Sequence, residues 1–591
     1  MSARQVAFLA AGLIALHLAV RSWLAWTGGF YWDDLILIGR SGQWPLLSRE
    51  LLLYDHDGHF MPGAFALAWF ATHFAPLNWA VPALTLVLGQ ALAAAAVLRV
   101  LYLMLGMQPI LVPPLAFYLF VPLTLPSFAW WSAGLNSLPL QIGLAWVTGD
   151  AIMLCRTGCR RYAVTGTLVA ALALACFEKA VLVAPVACAL VALLYRVDGD
   201  ARPLRTAVAR GRALWLPLAA VTALWAVAYC SVTETRPSVP SFAEAAELAH
   251  RATSLGVAPA LVGGPLVWER WPPAPPWATP PVALIVLGWI VAAAAVVWSL
   301  RARRRTGAVW LLLLGYLALS EASMIVVRTG PDTAAELAQT LRYVADSAVV
   351  LTLGWAVIAR APRREPPRRA ASHRLRAAAA AGVAAFVVCS LVSTATFAQR
   401  WREDPTPAYL ATARASLAAH RDAPILDHPV AVHILLPVAH PHNLASHVFG
   451  PLADRPEFAR HTEVLRVLDD SGRLVRAEVT GTRWLGQGPV PGCGHRVGNT
   501  PARLPLGEPL MDWEWAVRLN YYAATDGEVE LGLDGSADTV VVPVRAGLHT
   551  VFVRLLGAGE AVRLRVRTPG LALCVGDGQV GVVVPTDLPQ A

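Results

Sequence analysis

Charge is what this sequence has least of. Only 15% of its 591 residues are Asp, Glu, Lys or Arg, while 56% are hydrophobic, and the mean hydropathy is +0.52. Soluble chains are nearer about half apolar and about a quarter charged, so an ordinary soluble enzyme is excluded and an integral membrane protein is implied. Cysteine is scarce as well. Of eight cysteines, Cys155, Cys159, Cys176, Cys188, Cys230 and Cys389 lie in or beside apolar runs and read as small apolar residues. Cys155 and Cys159 have no partners at zinc-ligand spacing. There is no tandem repeat and no low-complexity tract beyond alanine-rich runs. The net charge of +9 does not indicate nucleic acid, because the arginines sit in short loops without interleaved aromatics for base stacking. They gather at Arg156 to Arg161, Arg196 to Arg212, Arg301 to Arg305 and Arg360 to Arg376, the pattern of cytoplasmic loops between membrane spans.

What is present is a series of apolar runs near residues 5–27, 78–105, 109–127, 135–154, 162–177, 179–195, 213–231, 280–299, 308–327, 343–359 and 377–397. At roughly 20 residues per crossing they predict about eleven spans. The first carries His17 and Arg21, and no small-residue cleavage site follows it, so it reads as an uncleaved signal-anchor. The run from Phe60 to Phe74 is short and begins Met61-Pro62-Gly63, which predicts an interfacial or re-entrant helix. With the N-terminus inside, crossing at each run puts all four arginine-rich loops in the cytoplasm. The same parity puts Asp33-Asp34, the Glu178-Lys179 turn, the 232–279 loop, the 328–342 loop and everything after 397 outside. Within the 232–279 loop, Ser241 and Glu244 form a capping-box pattern, and the loop is expected to roof a cavity.

The region beyond 397 has soluble composition. A helix is expected at 401–421, then a hairpin from Val464–Leu468 through Asp470-Ser471-Gly472 to Leu474–Val479. Alternating runs at 529–533, 540–544, 549–555 and 562–567 predict an antiparallel β-sandwich. Cys493 and Cys574 are alone in this outer region, and a disulfide between them is expected.

The outer ends of several spans carry an unusual set of ionisable groups. Phe30-Tyr31-Trp32-Asp33-Asp34 follows the first span, and Tyr54-Asp55-His56-Asp57-Gly58-His59 precedes the interfacial helix. Acids beside hydrocarbon are costly to hold, so Asp33-Asp34 is either a solvated cap of the following helix or a functional pair. Glu178-Lys179 either neutralises itself or joins Arg328 and Arg342-Tyr343 in a site. Cations to hold a phosphate and carboxylates to take a proton suit sugar transfer from a lipid-linked phosphate. The His56, Asp57 and His59 cluster admits three readings: metal ligands, sugar or acceptor hydrogen bonding, and a solvated loop. A divalent cation is left open. His440, His442 and His447 read as a surface loop or as facing the cavity, and Trp130-Trp131 as an interfacial belt rather than a sugar platform.

A first span followed at once by an aromatic-Asp-Asp pair resembles the GT-C superfamily of polytopic membrane glycosyltransferases. Many spans with a C-terminal extracytoplasmic β domain are similar to the actinobacterial cell-envelope arabinofuranosyl and mannosyl transferases. The resemblance implies a polytopic α-helical membrane domain over residues 1–397, a connecting α/loop region at 398–460 and a carbohydrate-binding-like β-sandwich at 461–591. It implies Asp33 or Asp34 as catalytic base, while position and charge, rather than a family motif, put Lys179, Arg342 and Tyr343 at the donor phosphate and His56, Asp57, His59 and Glu178 at the sugar or acceptor. The partners would be a polyprenyl-phosphate sugar, a cell-envelope glycan or glycolipid and the lipid of the plasma (inner) membrane, with no nucleic acid. A transporter or flippase for an envelope lipid is the alternative, as is a glycan-binding relative without activity. Transport would call for charges buried mid-span, where His17 and Arg21 are nearly the only ones read from the sequence.

Overall fold

Apolar runs hydrogen-bond internally wherever they must leave water, and the chain meets that demand with long helices. A computed structural model describes residues 2–234, 240–328, 334–364 and 373–586, the side chains at 327, 328, 373, 375, 376 and 482 excepted. Arg328, named above among the outer cations, therefore lies outside the described side chains. Two compact units result, Met1–Asp404 and Pro405–Ala591.

Among the described residues, nine helices are long and apolar enough to cross a membrane. The number becomes ten if Ala334–Val344 and Ser347–Arg360, bent by 49°, form one span. The run at 162–177 forms a shorter apolar helix of 14 residues, Arg161–Leu174, about 21 Å long. Pro62–Phe74 is the short helix expected there, with Pro62 at its first turn and Leu67, Phe70 and Phe74 exposed on one side.

More charge is held within the helices than the sequence reading allowed. Arg99 on Ala80–Leu105 pairs with Asp150 on Trp131–Thr157, and Thr165 donates to the other oxygen of Asp150 at 2.7 Å. This clip laces three helices together, and Asp150 is buried. Arg21 has a related use. The run at 109–129 breaks near Pro122, which has no N–H to give, and the Arg21 guanidinium reaches the carbonyl of Thr124 at 3.4 Å. An ion within a span is thus spent on mending broken backbone.

The long outer loop contributes no described residue of 240–279 to the lining of the cavity described below. Its capping box forms between Ser241 and Glu244, and the helix Phe242–His250 continues as a π-helical turn, Arg251–Val257. Arg251 bonds Gln339 and Thr253 bonds Glu321, fixing this helix to the segments that follow it. The small hairpin of Trp268–Glu269 and Trp277–Ala278 then caps Tyr31 and Trp401, with the fully buried Arg270 side chain paired to Asp404.

The second unit opens with the helix Thr406–Ala419. The hairpin forms as read: Arg466–Leu468 pairs with Leu474–Trp484, and the Asp469 carboxylate accepts the amides of Ser471 and Arg473 in the turn, where Gly472 takes φ +85°. The sandwich differs from the expectation in construction. All the long strands belong to one antiparallel sheet, ordered Thr539–Val544, Gly527–Leu533, Gly547–Val566, Ala502–Ala523, Leu573–Pro585, Leu474–Trp484, Arg466–Leu468. Two of its strands are 22 and 20 residues long, and their register shifts at Gly557, Gly559 and Ala561. Such bulges bend a sheet, and Val517, Leu531, Val542, Val553 and Leu564, from four neighbouring strands, share one core. Cys493 and Cys574 are joined by a disulfide within this unit.

Candidate active site

A cavity of about 360 Å³ in the first unit is lined by Asp33, His56, Asp57, His59, Glu178, Lys179, Arg342 and Tyr343. These come from four stretches of chain, each held by a recognisable local device. The first span ends at Trp26, and Trp32 takes φ +45°, a costly conformation for a bulky residue, just before the helix Asp33–Gln43. Both acids then occupy the first turn, where the helix dipole favours negative charge. Their environments differ. Asp34 is fully buried and accepts the amides of Tyr31 at 2.9 Å and Ser132 at 2.8 Å, tying the loop to the start of Trp131–Thr157. Burial pushes its carboxyl well above the usual carboxylate range, opposed by those two amides. Asp33 lines the cavity, its side chain 30% exposed and 3.9 Å from Nε2 of His56.

The second stretch is a two-residue turn. His56 and His59 exchange both backbone hydrogen bonds at 3.0 Å, and Asp57 and Gly58 between them have φ of +52° and +84°. An Asp-Gly pair suits a turn that needs positive φ at both central positions. Asp55 is spent on this turn, accepting the Gly58 amide at 2.8 Å and that of Glu234 at 3.0 Å. The turn sends His56 toward Asp33 and His59 to Glu178, whose Oε1 is 3.0 Å from Nδ1. Among the described residues, no group of three or more His, Cys, Asp or Glu side chains is arranged to hold a metal ion. In the C-terminal unit, His440 lies 3.7 Å from Glu514, and the rings of His442 and His447 are 5.6 Å apart.

Glu178 and Lys179 open a 3₁₀ turn, Glu178–Leu182, after the break at Phe177. They do not neutralise each other. Lys179 Nζ donates to Asp346 Oδ1 at 2.8 Å and to the carbonyl of Tyr343 at 2.9 Å, and Tyr316 also donates to Asp346. The fourth stretch begins at Leu341, φ +62°, and turns through Arg342–Val344. The Arg342 guanidinium lies 4.5 Å from the Trp130 ring and 4.7 Å from the Tyr343 ring, and donates to the Tyr343 hydroxyl at 2.6 Å. It has no carboxylate partner among the described residues. Trp130 and Trp131 are 6% and 0% exposed, so they form no belt in contact with lipid. Trp130 packs edge-on to Tyr31 at 4.8 Å and serves as the bed for Arg342.

Sequence reasoning missed Asp346, which read as the start of an apolar span. One signal was available: Lys179 is the only lysine in the chain. Where every other cation is arginine, a lone ammonium implies a spot with room for a compact charge and no need of a planar fork.

No family model and no characterised protein sequence matches the chain. Solved structures align with the chain at low identity. The arabinofuranosyltransferase AftD from Mycobacteria aligns with 100% of this chain and 63% of its own at 12% identity, TM-score 0.38. The chain thus spans less than two thirds of that protein. ArnT from Cupriavidus metallidurans, solved bound to undecaprenyl phosphate, aligns over 75% of this chain and 87% of its own at 15% identity, TM-score 0.41. The arabinosyltransferase EmbB from Mycobacterium smegmatis covers 98% of this chain and 64% of its own at 13% identity, TM-score 0.22. The chain aligns with each of these three at 15% identity or less.

Proposed function

We propose that the protein is a membrane glycosyltransferase that moves a sugar from a polyprenyl-phosphate donor to a cell-envelope glycan or glycolipid at the outer face. The observation that carries this is one cavity lined both by carboxylates and by a guanidinium without a carboxylate partner among the described residues. Asp33 is the base. It takes the proton from the incoming hydroxyl as that oxygen bonds to the anomeric carbon. The bond from that carbon to the phosphate oxygen breaks in the same displacement, inverting the centre. The departing phosphate takes the electron pair, and Arg342 stabilises its charge. Lys179, Tyr343 and Asp346 hold the Arg342 turn. Asp34 fixes the loop that presents Asp33. His56, His59, Asp57 and Glu178 face the sugar and the acceptor.

An apolar groove supports a lipid donor. About 490 Å³ in volume, it is lined by Val181, Pro185, Cys188, Trp215, Ala219 and Ala226, and Val181 lines the polar cavity too. A polyprenyl chain in the groove would bring its phosphate to that junction. The positive-inside pattern of the arginine loops and the disulfide between Cys493 and Cys574 favour an outer location for the cavity and the C-terminal unit. Purified protein in lipid nanodiscs, given a panel of polyprenyl-phosphate sugars, is expected to convert one of them to free polyprenyl phosphate with an acceptor glycan present. Failure across pentose and hexose donors alike would remove the proposal.

A further inference from the structure

Three residues that line the cavity each carry a buried polar atom without a hydrogen-bond partner among the described residues: Trp130 Nε1, Asn136 Oδ1 and Glu178 Oε2. Buried polar groups are almost always paired, so three orphans on one cavity are a coincidence that calls for a ligand. Their neighbours limit what that ligand can be. The Trp130 ring has Arg342 over it at 4.5 Å and Tyr31 against it at 4.8 Å. No sugar can stack there, and only the indole N–H is on offer. The other oxygen of Glu178 is already held by His59 at 3.0 Å. One donor and two acceptors remain.

A phosphate, which only accepts, would satisfy Trp130 and meet two further acceptors with nothing to give. An alkyl chain would satisfy none of the three. A hydroxyl both donates and accepts, so a polyhydroxylated ring can serve all three. We infer that Trp130, Asn136 and Glu178 form a sugar-hydroxyl subsite for the glycosyl group of the donor, beside the phosphate contact at Arg342. This rests on the donor reading of the proposed function. The subsite selects by its orphans, because a sugar lacking the matching hydroxyl leaves a buried group unpaired.

The test uses the full chain in nanodiscs and compares binding of bare undecaprenyl phosphate with that of undecaprenyl-phosphate pentofuranoses and hexopyranoses. Wild type is expected to bind one sugar-bearing lipid at least about tenfold more tightly than the bare lipid. Trp130→Phe, which removes only the N–H, and Asn136→Ala and Glu178→Gln should each remove about tenfold or more of that preference. In Asn136→Ala, which leaves the Arg342 contact with Trp130 untouched, bare-lipid affinity should stay within about twofold, which also reports intact folding. Equal losses for bare and sugar-bearing lipid, or no loss for either, would overturn the subsite. So would a wild type that binds the bare lipid and gains from no sugar, an outcome that spares the lipid-phosphate reading. A wild type that binds neither lipid would remove that reading together with the subsite.

Discussion

Lys179 bears on the phosphate in one of two ways, and a double substitution separates them. Its ammonium, with 10% of the side chain exposed, lies 2.8 Å from an Asp346 side chain that is 4% exposed. Removing one member of a buried pair leaves the other uncompensated and costs about 3–5 kcal/mol. In Lys179→Met, Asp346 keeps only the Tyr316 hydroxyl among the described side chains, and its charge competes for Arg342 four residues away. Each 1.4 kcal/mol lost at the anion site is about tenfold in affinity, so undecaprenyl phosphate should bind at least about tenfold more weakly. Adding Asp346→Asn removes the stranded charge. If Lys179 acts through Asp346, the double variant recovers undecaprenyl phosphate affinity to within about threefold of wild type. Titration of nanodisc-embedded protein with the lipid measures both. A double variant as weak as Lys179→Met alone would refute this reasoning and make Lys179 a direct phosphate contact. Because Lys179 is the only lysine, side-chain labelling by an amine-reactive reagent reports its access without interference from any other lysine.

Asp34→Asn should lower thermal stability in detergent by about 1–3 kcal/mol, since one of two buried amides loses its acceptor; an unchanged melting temperature would contradict the capping role. Burial holds the His428 imidazole below its ordinary value of 6.5, where Nε2 accepts the Leu468 amide at 2.9 Å. The unfolded chain takes up the proton first, so this contribution is full above about pH 6.5 and is lost on acidification at up to about 1.4 kcal/mol per pH unit. Calorimetry of the protein and of His428→Asn should show that slope only in the former. The Cys493–Cys574 disulfide spans 81 residues, and its reduction should cost the C-terminal unit about 4–5 kcal/mol by loop entropy. Thiol titration of the denatured chain should rise from six to eight on reduction; a midpoint that does not move would count against a constraining role.

Much of this was legible because scarcity concentrates information. In a chain with so little charge, each acid or base at a helix end stands out, as Asp33, Glu178, Lys179 and Arg342 do, which line one cavity although up to about three hundred residues separate them in sequence. What stayed hidden depends on partners. Asp150 and Asp346 are single acids in apolar runs, and nothing local says that Arg99 and Lys179 come to meet them. The Asp33-Asp34 pair is symmetric in sequence, and only the direction of each side chain separates a cavity carboxyl from one bonded to the Tyr31 and Ser132 amides. Trp130-Trp131 misled because aromatics at a span end serve a lipid interface or a packed site equally well, and burial decides between them. The strands of the β unit were readable by alternation. Their union into one folded sheet turns on bulges near Gly557, which leave little trace in a period-two pattern.

The central claim is that Asp33 takes the proton in sugar transfer. Single-turnover transfer from a polyprenyl-phosphate sugar, measured side by side for wild type, Asp33→Asn and Asp34→Asn at equal donor occupancy, tests it most directly. Asp33→Asn should bind donor normally and lose about 10²–10⁴ in rate, while folded Asp34→Asn keeps most of it. Transfer that survives in Asp33→Asn at the wild-type rate would contradict the account.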